Sequence, residues 1–287
     1  MLRNTDEVGS WVFDDEVSER VRNVIALRER KLPGDALELL AQDVVVRLAR
    51  RYTPSIPSVP PPPDEELDAL CDALISSNPD AALDLVVKFR ARGTTTEAIY
   101  LGYVAGAARR LGDRWTHGDV CLVDVGIAAT RLYTIMHAMR PFLLSSVSSR
   151  DDMAHALFAS TPGETHTLGV SMAADLFRSK GWEIDLLTGL DHNELIDRAG
   201  NDRYRIIGLS ASSEKSTVAL TRVIASLRMT SPVSSILVSG ELATIEPQLS
   251  LLVDADSVAL DAGSAIVAMQ RLLDATSQDA DAIGRRD

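Results

Sequence analysis

Residues 161–169 read Thr-Pro-Gly-Glu-Thr-His-Thr-Leu-Gly, and their place in the chain decides the fold. One short apolar run, 156–160, ends just before them, and an amphipathic helical pattern begins just after. A loop leaving the carboxyl end of a strand opens into the crevice beside a parallel sheet, where doubly wound domains collect their ligands. Four further β-rich runs follow at 183–187, 206–210, 235–239 and 257–260, alternating with residues at helical spacing. Five β-α repeats predict a parallel sheet with helices on both faces.

Within the nonapeptide, Glu164-x-His166-x-x-Gly169 places a carboxylate, an imidazole and a glycine on one loop. A neutral imidazole binds cobalt, iron or zinc through one ring nitrogen, while a carboxylate two residues away can hold the other N–H and set the tautomer. Gly169 has no Cβ, so the start of the helix can let a bulky ligand lie close. Alone, this pattern also fits an ordinary loop with a solvated histidine. The third strand ends Gly208-Leu209-Ser210-Ala211-Ser212 and the fourth Val238-Ser239-Gly240-Glu241. Small hydroxyl residues and glycines at successive strand ends leave a groove for something long beside the sheet.

Upstream, 64–145 is rich in Ala, Leu and Val at helical spacing, with starts signalled by Asn78-Pro79, Thr94-Thr95-Thr96-Glu97 and Gly118-Asp119. This predicts a bundle of about four helices. Pro54 to Pro63 holds six prolines and reads as a stiff extended linker. Ahead of it, Val17, Val21, Val24 and Arg28, then Leu37, Leu40, Val44 and Leu48, keep helical spacing around a break at Pro33-Gly34. Such a helical pair buries little alone, so it docks on the rest, pairs with another copy in a homo-oligomer, or binds a partner. The expected organisation is N-terminal helices (1–52), linker (53–63), bundle (64–150), α/β domain (151–276) and a flexible Asp- and Arg-rich tail (277–287).

Over 287 residues the net charge is −12. A large phosphate-binding surface, and with it direct DNA binding, is not expected of so acidic a chain; a basic protein partner fits better. No apolar stretch approaches the roughly 18 residues of a membrane span, and the first residues lack the apolar core of a signal peptide, so a cytoplasmic location is expected. Cys71 and Cys121 are isolated and are expected to be small packed residues.

The series of motifs resembles the cobalamin fingerprint (Asp/Glu)-x-His-x-x-Gly, then Ser-x-Leu, then Gly-Gly, of the B12-binding domain of methionine synthase and its relatives. Here 40 residues separate Gly169 from Ser210 and 26 separate Ser212 from Ser239, close to the family spacing. The resemblance implies an α + α/β protein, with N-terminal helices, a four-helix cap bundle and a flavodoxin-like five-stranded parallel sheet. It implies cobalamin as cofactor, with His166 in place of the vitamin's dimethylbenzimidazole as lower ligand of the cobalt. The displaced nucleotide tail would lie past Ser210 and Gly240. Ser212 stands where leucine is usual and Ser239 where the first glycine is usual, which implies a tighter and more polar tail groove.

Leu111-Gly112-Asp113-Arg114-Trp115-Thr116-His117-Gly118-Asp119 resembles the turn that sets a tryptophan over the cobalt in B12 photoreceptors. Trp115 is the candidate for that cap, the other reading being a tryptophan that fills a helix junction. The Glu-His pair that follows in the adenosylcobalamin photoreceptors is Val125 and Gly126 here. Hydroxo- or aquocobalamin therefore stands beside adenosylcobalamin as the form bound, with room above the cobalt for water, hydroxide or a protein histidine. His117 and His137 are the imidazoles available in the bundle, as candidate upper ligands or as a solvated and a packed residue. His155 and His192 read as strand-edge and loop residues.

The whole organisation resembles the AerR/PpaA-type regulators of purple photosynthetic bacteria. That resemblance implies a light- and cobalamin-responsive antirepressor, without enzymatic activity, that binds a transcriptional repressor of the CrtJ/PpsR type at photosynthesis genes. Two other readings stand beside it. One is a corrinoid protein that carries methyl groups between methyltransferases; the other is a regulator with haem iron on His166, which leaves the groove at Ser210 and Gly240 unexplained.

Overall fold

The computed structural model describes residues 59–145, 155–201, 204–246 and 249–284. The helical pair read from 1–52 and the first part of the linker lie outside them. The bundle opens with α1 (Asp64–Ile75), whose first amides, Glu66 and Leu67, donate to the Pro63 carbonyl, and whose first turn carries Asp64, Glu65 and Glu66 against the positive end of the helix dipole. After α2 (Ala81–Ala91), the Thr95 hydroxyl accepts the Ala98 amide at 3.1 Å and starts α3. This helix runs as Thr96–Ala98, a π-helical stretch Ile99–Val104 and Ala105–His117. Gly118, at φ +83°, ends it in the left-handed conformation that glycine adopts without strain.

The last bundle helix, α4 (Leu122–Leu144), begins where the Asp124 carboxylate accepts the Cys121 amide at 2.9 Å. Helices α2, α3 and α4 begin within a few residues of their three sequence signals, and α1 begins at the start of the Ala-, Leu- and Val-rich stretch. Cys121 corrects one expectation: it is exposed at this cap, whereas Cys71 is buried. A thiol at a helix's first boundary is held by capping geometry and needs no apolar neighbours.

The second half alternates β1 (His155–Ser160), α5 (Leu168–Ser179), β2 (Glu183–Leu187), α6 (His192–Asn201), β3 (Ile206–Ser210), α7 (Thr217–Thr230), β4 (Ser235–Ser239), α8 (Glu241–Ile245), α9 (Leu249–Val253), β5 (Ser257–Ala259) and α10 (Ala262–Gly284). The strands form one parallel sheet in the order β2-β1-β3-β4-β5. Helix α10 continues to Gly284, past residue 277 where a flexible tail was expected. Alanines interleaved among its acidic residues favour continued helix, so polarity there marks a change of composition and not of backbone.

Alternation along each strand separates two cores. Leu157, Ile207, Leu209, Ile236 and Val238 meet α6 and α7 on one face. Ala156, Phe158, Ile184, Ile206 and Leu237 meet α5 and α10 on the other. Gly208 makes this possible beside Phe158, since a Cβ there would lie 2.9 Å from the Phe158 ring.

Helix α5 is buried on two sides. Val170, Ala174 and Phe177 face the sheet, while Met172 and Leu176 enter the bundle core with Tyr100, Ile135, Met136 and Met139. Between the two stripes lies Asp175, whose side chain is 1% exposed. Arg140 of α4 approaches it with Nη2 2.8 Å from Oδ1 and Nε 3.0 Å from Oδ2. Arg178 lies 3.2 Å away, and the Tyr100 hydroxyl, which donates to the Met136 carbonyl at 2.8 Å, is 3.3 Å from Oδ2. Burial, then the Asp175 carboxylate, push the Tyr100 phenol well above its ordinary range.

Removing one member of a buried charged network leaves the others unpaired, which costs more than the pair contributes over an apolar substitute. Asp175→Ala is expected to lower stability by about 2–4 kcal/mol, and Tyr100→Phe by about 1 kcal/mol. Urea unfolding followed by circular dichroism measures both.

Candidate functional site

The site begins where β1 stops. Thr161 donates its amide and its hydroxyl to the Ser210 carbonyl, at 2.9 and 3.0 Å, joining the ends of β1 and β3. The chain then turns through Gly163, at φ +83°, and the Glu164 amide closes onto the Thr161 carbonyl at 2.9 Å. This turn sends the Glu164 side chain inward, where it is 4% exposed, while His166 stands out at 78%.

Six donors meet the Glu164 carboxylate. Oε1 accepts the amides of Thr165 (2.9 Å) and His166 (3.0 Å) and the His166 ring Nδ1 (2.9 Å). Oε2 accepts the Ser212 amide (2.9 Å), the Ser212 hydroxyl (2.6 Å) and the Ser216 hydroxyl (3.1 Å). Burial alone would raise the pKa of this carboxyl; the hydrogen bonds from Ser212 and His166 overcome it and bring the group down to about 2. An anionic acceptor on Nδ1 assigns the ring proton there, which leaves Nε2 with its lone pair free on the exposed edge. That is the state an imidazole needs to bind a metal.

The remaining residues fall into place around this centre. A Cβ on Gly169 would have no atom within 4 Å, so the first turn of α5 borders open space. Ser210 and Ser239 are paired across β3 and β4 at the same level of the sheet. Gly240, at φ +103°, brings its backbone so near the next loop that a Cβ would sit 2.3 Å from the Ala211 carbonyl. The amide and hydroxyl of Ser212 are both turned to Glu164 and belong to the carboxylate's cage.

Above the loop, the Tyr133 hydroxyl lies 2.7 Å from that of Thr167, the residue after His166. Leu122, Gly126, Ala129 and Tyr133 recur at helical spacing, so this face of α4 is the one turned toward the loop, and all four are exposed. Leu122 and Val123 are more than two-thirds exposed and Trp115 is 51% exposed, an apolar surface at the end of the bundle. Trp115 is therefore no filler of a helix junction. His117 is exposed with Nδ1 2.7 Å from the Asp113 carbonyl, and His137 is exposed one turn beyond Tyr133. The structure brings neither into the Glu164 network, and His137 is not packed, since that edge of α4 faces solvent.

Ser216, Tyr133 and Thr167 had no signal in the sequence; the short 3₁₀ turn Glu214–Ser216 and the α4–α5 contact place them. His155 sits 3.0 Å from Asp185, and His192 lies 3.2 Å from Ser226. Among the described residues no three His, Cys, Asp or Glu side chains gather to hold a metal ion on their own. One exposed imidazole, fixed from behind by a carboxylate and bordered by open space, fits a cobalt that already has its ring donors. No helix among the described residues is long and apolar enough to cross a membrane.

Comparison with known proteins agrees with this geometry. A family model described as B12 binding domain matches residues 154–270, and a second of the same description matches residues 66–139. An uncharacterized 20.5 kDa protein in the bchF-crtJ intergenic region of Rhodobacter capsulatus is 29% identical over 100 residues, 35% of this chain. The match spans about half, 52%, of that relative's length. The dimethylamine corrinoid protein of Methanosarcina barkeri is 26% identical over 149 residues, covering 52% of this chain and 69% of the relative. In three dimensions the monomethylamine corrinoid protein of Methanosarcina barkeri superposes with a TM-score of 0.62 at 17% identity, over 72% of this chain and 98% of that one, which is a likeness of fold.

The Glu164 carboxyl is lower in the folded chain than its ordinary value of 4.5. The stability it contributes is thus complete above about pH 4.5 and is lost as pH falls toward 2; a shift of this size corresponds to about 3 kcal/mol. Urea unfolding from pH 6 down to 2 is expected to show that loss in the natural sequence and a flatter profile in Glu164→Gln.

Proposed function

We propose that this chain, whose residues 66–139 and 154–270 each match a family model described as B12 binding domain, is a cobalamin-dependent, light-responsive regulator that acts in the cytoplasm as an antirepressor, by binding a transcriptional repressor of the CrtJ/PpsR type. The observation that carries the regulatory half is the likeness to the protein of the bchF-crtJ intergenic region. The observation that carries the cofactor half is the Glu164–His166 pair, with its anionic carboxylate and free Nε2. The net charge of −12 suits contact with a basic, DNA-binding partner and not with DNA.

In this proposal His166 holds the lower face of the corrin and Glu164 keeps its ring in one tautomer. Trp115, Leu122 and the Gly126–Ala129 stripe of α4 cover the upper face, where Val125 and Gly126 leave room for a small ligand. Bound cobalamin would supply a metal centre whose upper ligand is exchanged or released by light. A change there alters what the apolar end of the bundle packs against. Helix α4 is tied to α5 through Tyr133–Thr167 and Arg140–Asp175, so its repacking is felt across the bundle surface. To swing the partner-binding state from mostly off to mostly on, the two ligation states must differ by about 5 kcal/mol in the packing they favour. The chain performs no catalytic step of its own.

A second reading is a corrinoid methyl carrier, favoured by the likeness to the dimethylamine corrinoid protein over 149 residues. Against it stands Trp115, which would cover the face from which a methyl group must leave.

Purified in dim light with hydroxocobalamin or adenosylcobalamin, the chain is expected to bind one equivalent and to change its visible spectrum on illumination. His166→Ala is expected to lose the imidazole-ligated spectrum, and repressor affinity to change at least tenfold between dark and light. A spectral change with no change in partner affinity contradicts the antirepressor role. Methyl transfer to the reduced corrinoid by a partner methyltransferase supports the carrier reading instead.

A further inference from the structure

Ser212 stands where the fingerprint has leucine, and its sequence position assigns it to the groove of the nucleotide tail. Its contacts lie elsewhere. The amide and the hydroxyl of this one residue both reach Glu164 Oε2, at 2.9 and 2.6 Å, and its oxygen is also 3.3 Å from His166 Nδ1. We propose that Ser212 is a positioning residue for the cobalt ligand, locking the Glu164 carboxylate so that Oε1 faces the His166 ring; this rests on the reading of His166 as that ligand.

The physical need comes from the length of the side chain. Glutamate has one more methylene and one more torsion than aspartate, the other residue the fingerprint allows at position 164, so a ring held by its carboxylate alone is held by a mobile partner. Oε1 is fixed by its own loop, through the amides of Thr165 and His166. Oε2 projects toward the loop after β3, across the joint made by Thr161 and Ser210. Ser212 meets it there with two of its three donors, and Ser216 adds the third. A leucine would keep the amide bond and lose the hydroxyl, the shortest of the six contacts. The combination of Glu164 with Ser212 thus restores with a hydrogen bond the rigidity that the longer side chain gives up.

The full-length chain with Ser212→Ala or Ser212→Thr tests this in two ways. Without cofactor at about pH 8, where imidazole is neutral, long-range nitrogen–proton spectra report which ring nitrogen of His166 carries the proton. The natural sequence and Ser212→Thr are expected to show Nδ1–H, and Ser212→Ala to drift toward the mixture of a free imidazole. Unchanged ring shifts in Ser212→Ala overturn the proposal, whatever the chain binds. With aquocobalamin, and with aquocobinamide, which has the corrin but no nucleotide tail, Ser212→Ala is expected to bind both about tenfold more weakly, with Ser212→Thr restoring both. A loss confined to cobalamin returns Ser212 to the tail groove and overturns the proposal. If the natural sequence binds neither corrinoid, the cobalamin reading fails, while the ring spectra still decide the role of Ser212.

Discussion

The carboxylate of Asp175 is the constraint on which the rest of the structure depends. It lies on the one helix that both halves of the chain use as core, with the sheet against one stripe and the bundle against the other. A charge this deeply buried persists only where partners replace its water, and it has a two-point contact from Arg140, a second guanidinium from Arg178 and a phenol from Tyr100. Two of those partners belong to the bundle and one to α5 itself. The network therefore fixes where the bundle sits relative to the sheet, which apolar packing alone, being non-directional, does less sharply.

That placement matters because α5 begins two residues after His166. Whatever holds α5 also holds the loop that bears the imidazole, and the Tyr133–Thr167 contact ties the same loop to α4 from above. The site is thus gripped from three directions: by α5 beneath, by the joint of β1 with β3 at its side, and by α4 over it. Within that grip the Glu164 carboxylate holds the His166 ring by Nδ1 and leaves its far edge exposed. The exposed apolar residues of α4 lie with Trp115 at the same end of the bundle, a surface that suits the large flat ligand of the proposed function.

Much of this was legible in the sequence where it depends on local order. The runs beginning at residues 183, 206 and 235 become strands as predicted, because β-rich segments between turns admit few alternatives. The pairing of Glu164 with His166 follows from a spacing of two on one loop. What stayed hidden depends on register and packing between distant segments. Ser212 reaches Glu164 across 48 residues only because Ser160 pairs with Ser210 in the sheet, a contact that its position in the motif does not disclose. Asp175 is one acidic residue in an amphipathic helix until the bundle covers its second face. Exposure at Cys121 and His137 was misjudged for the same reason, since residue type says little about which edge of a helix a ligand or neighbour leaves open.

The central claim is that a nitrogen of this chain, and not the vitamin's own base, binds the cobalt. The direct measurement is the electron paramagnetic resonance spectrum of the chain loaded with cobalamin, reduced to divalent cobalt, and grown with histidine labelled with nitrogen-15. The account predicts that each cobalt hyperfine line, a triplet with ordinary nitrogen, becomes a doublet on labelling. Triplets that persist in the labelled protein would mean that dimethylbenzimidazole remains on the metal and would contradict it.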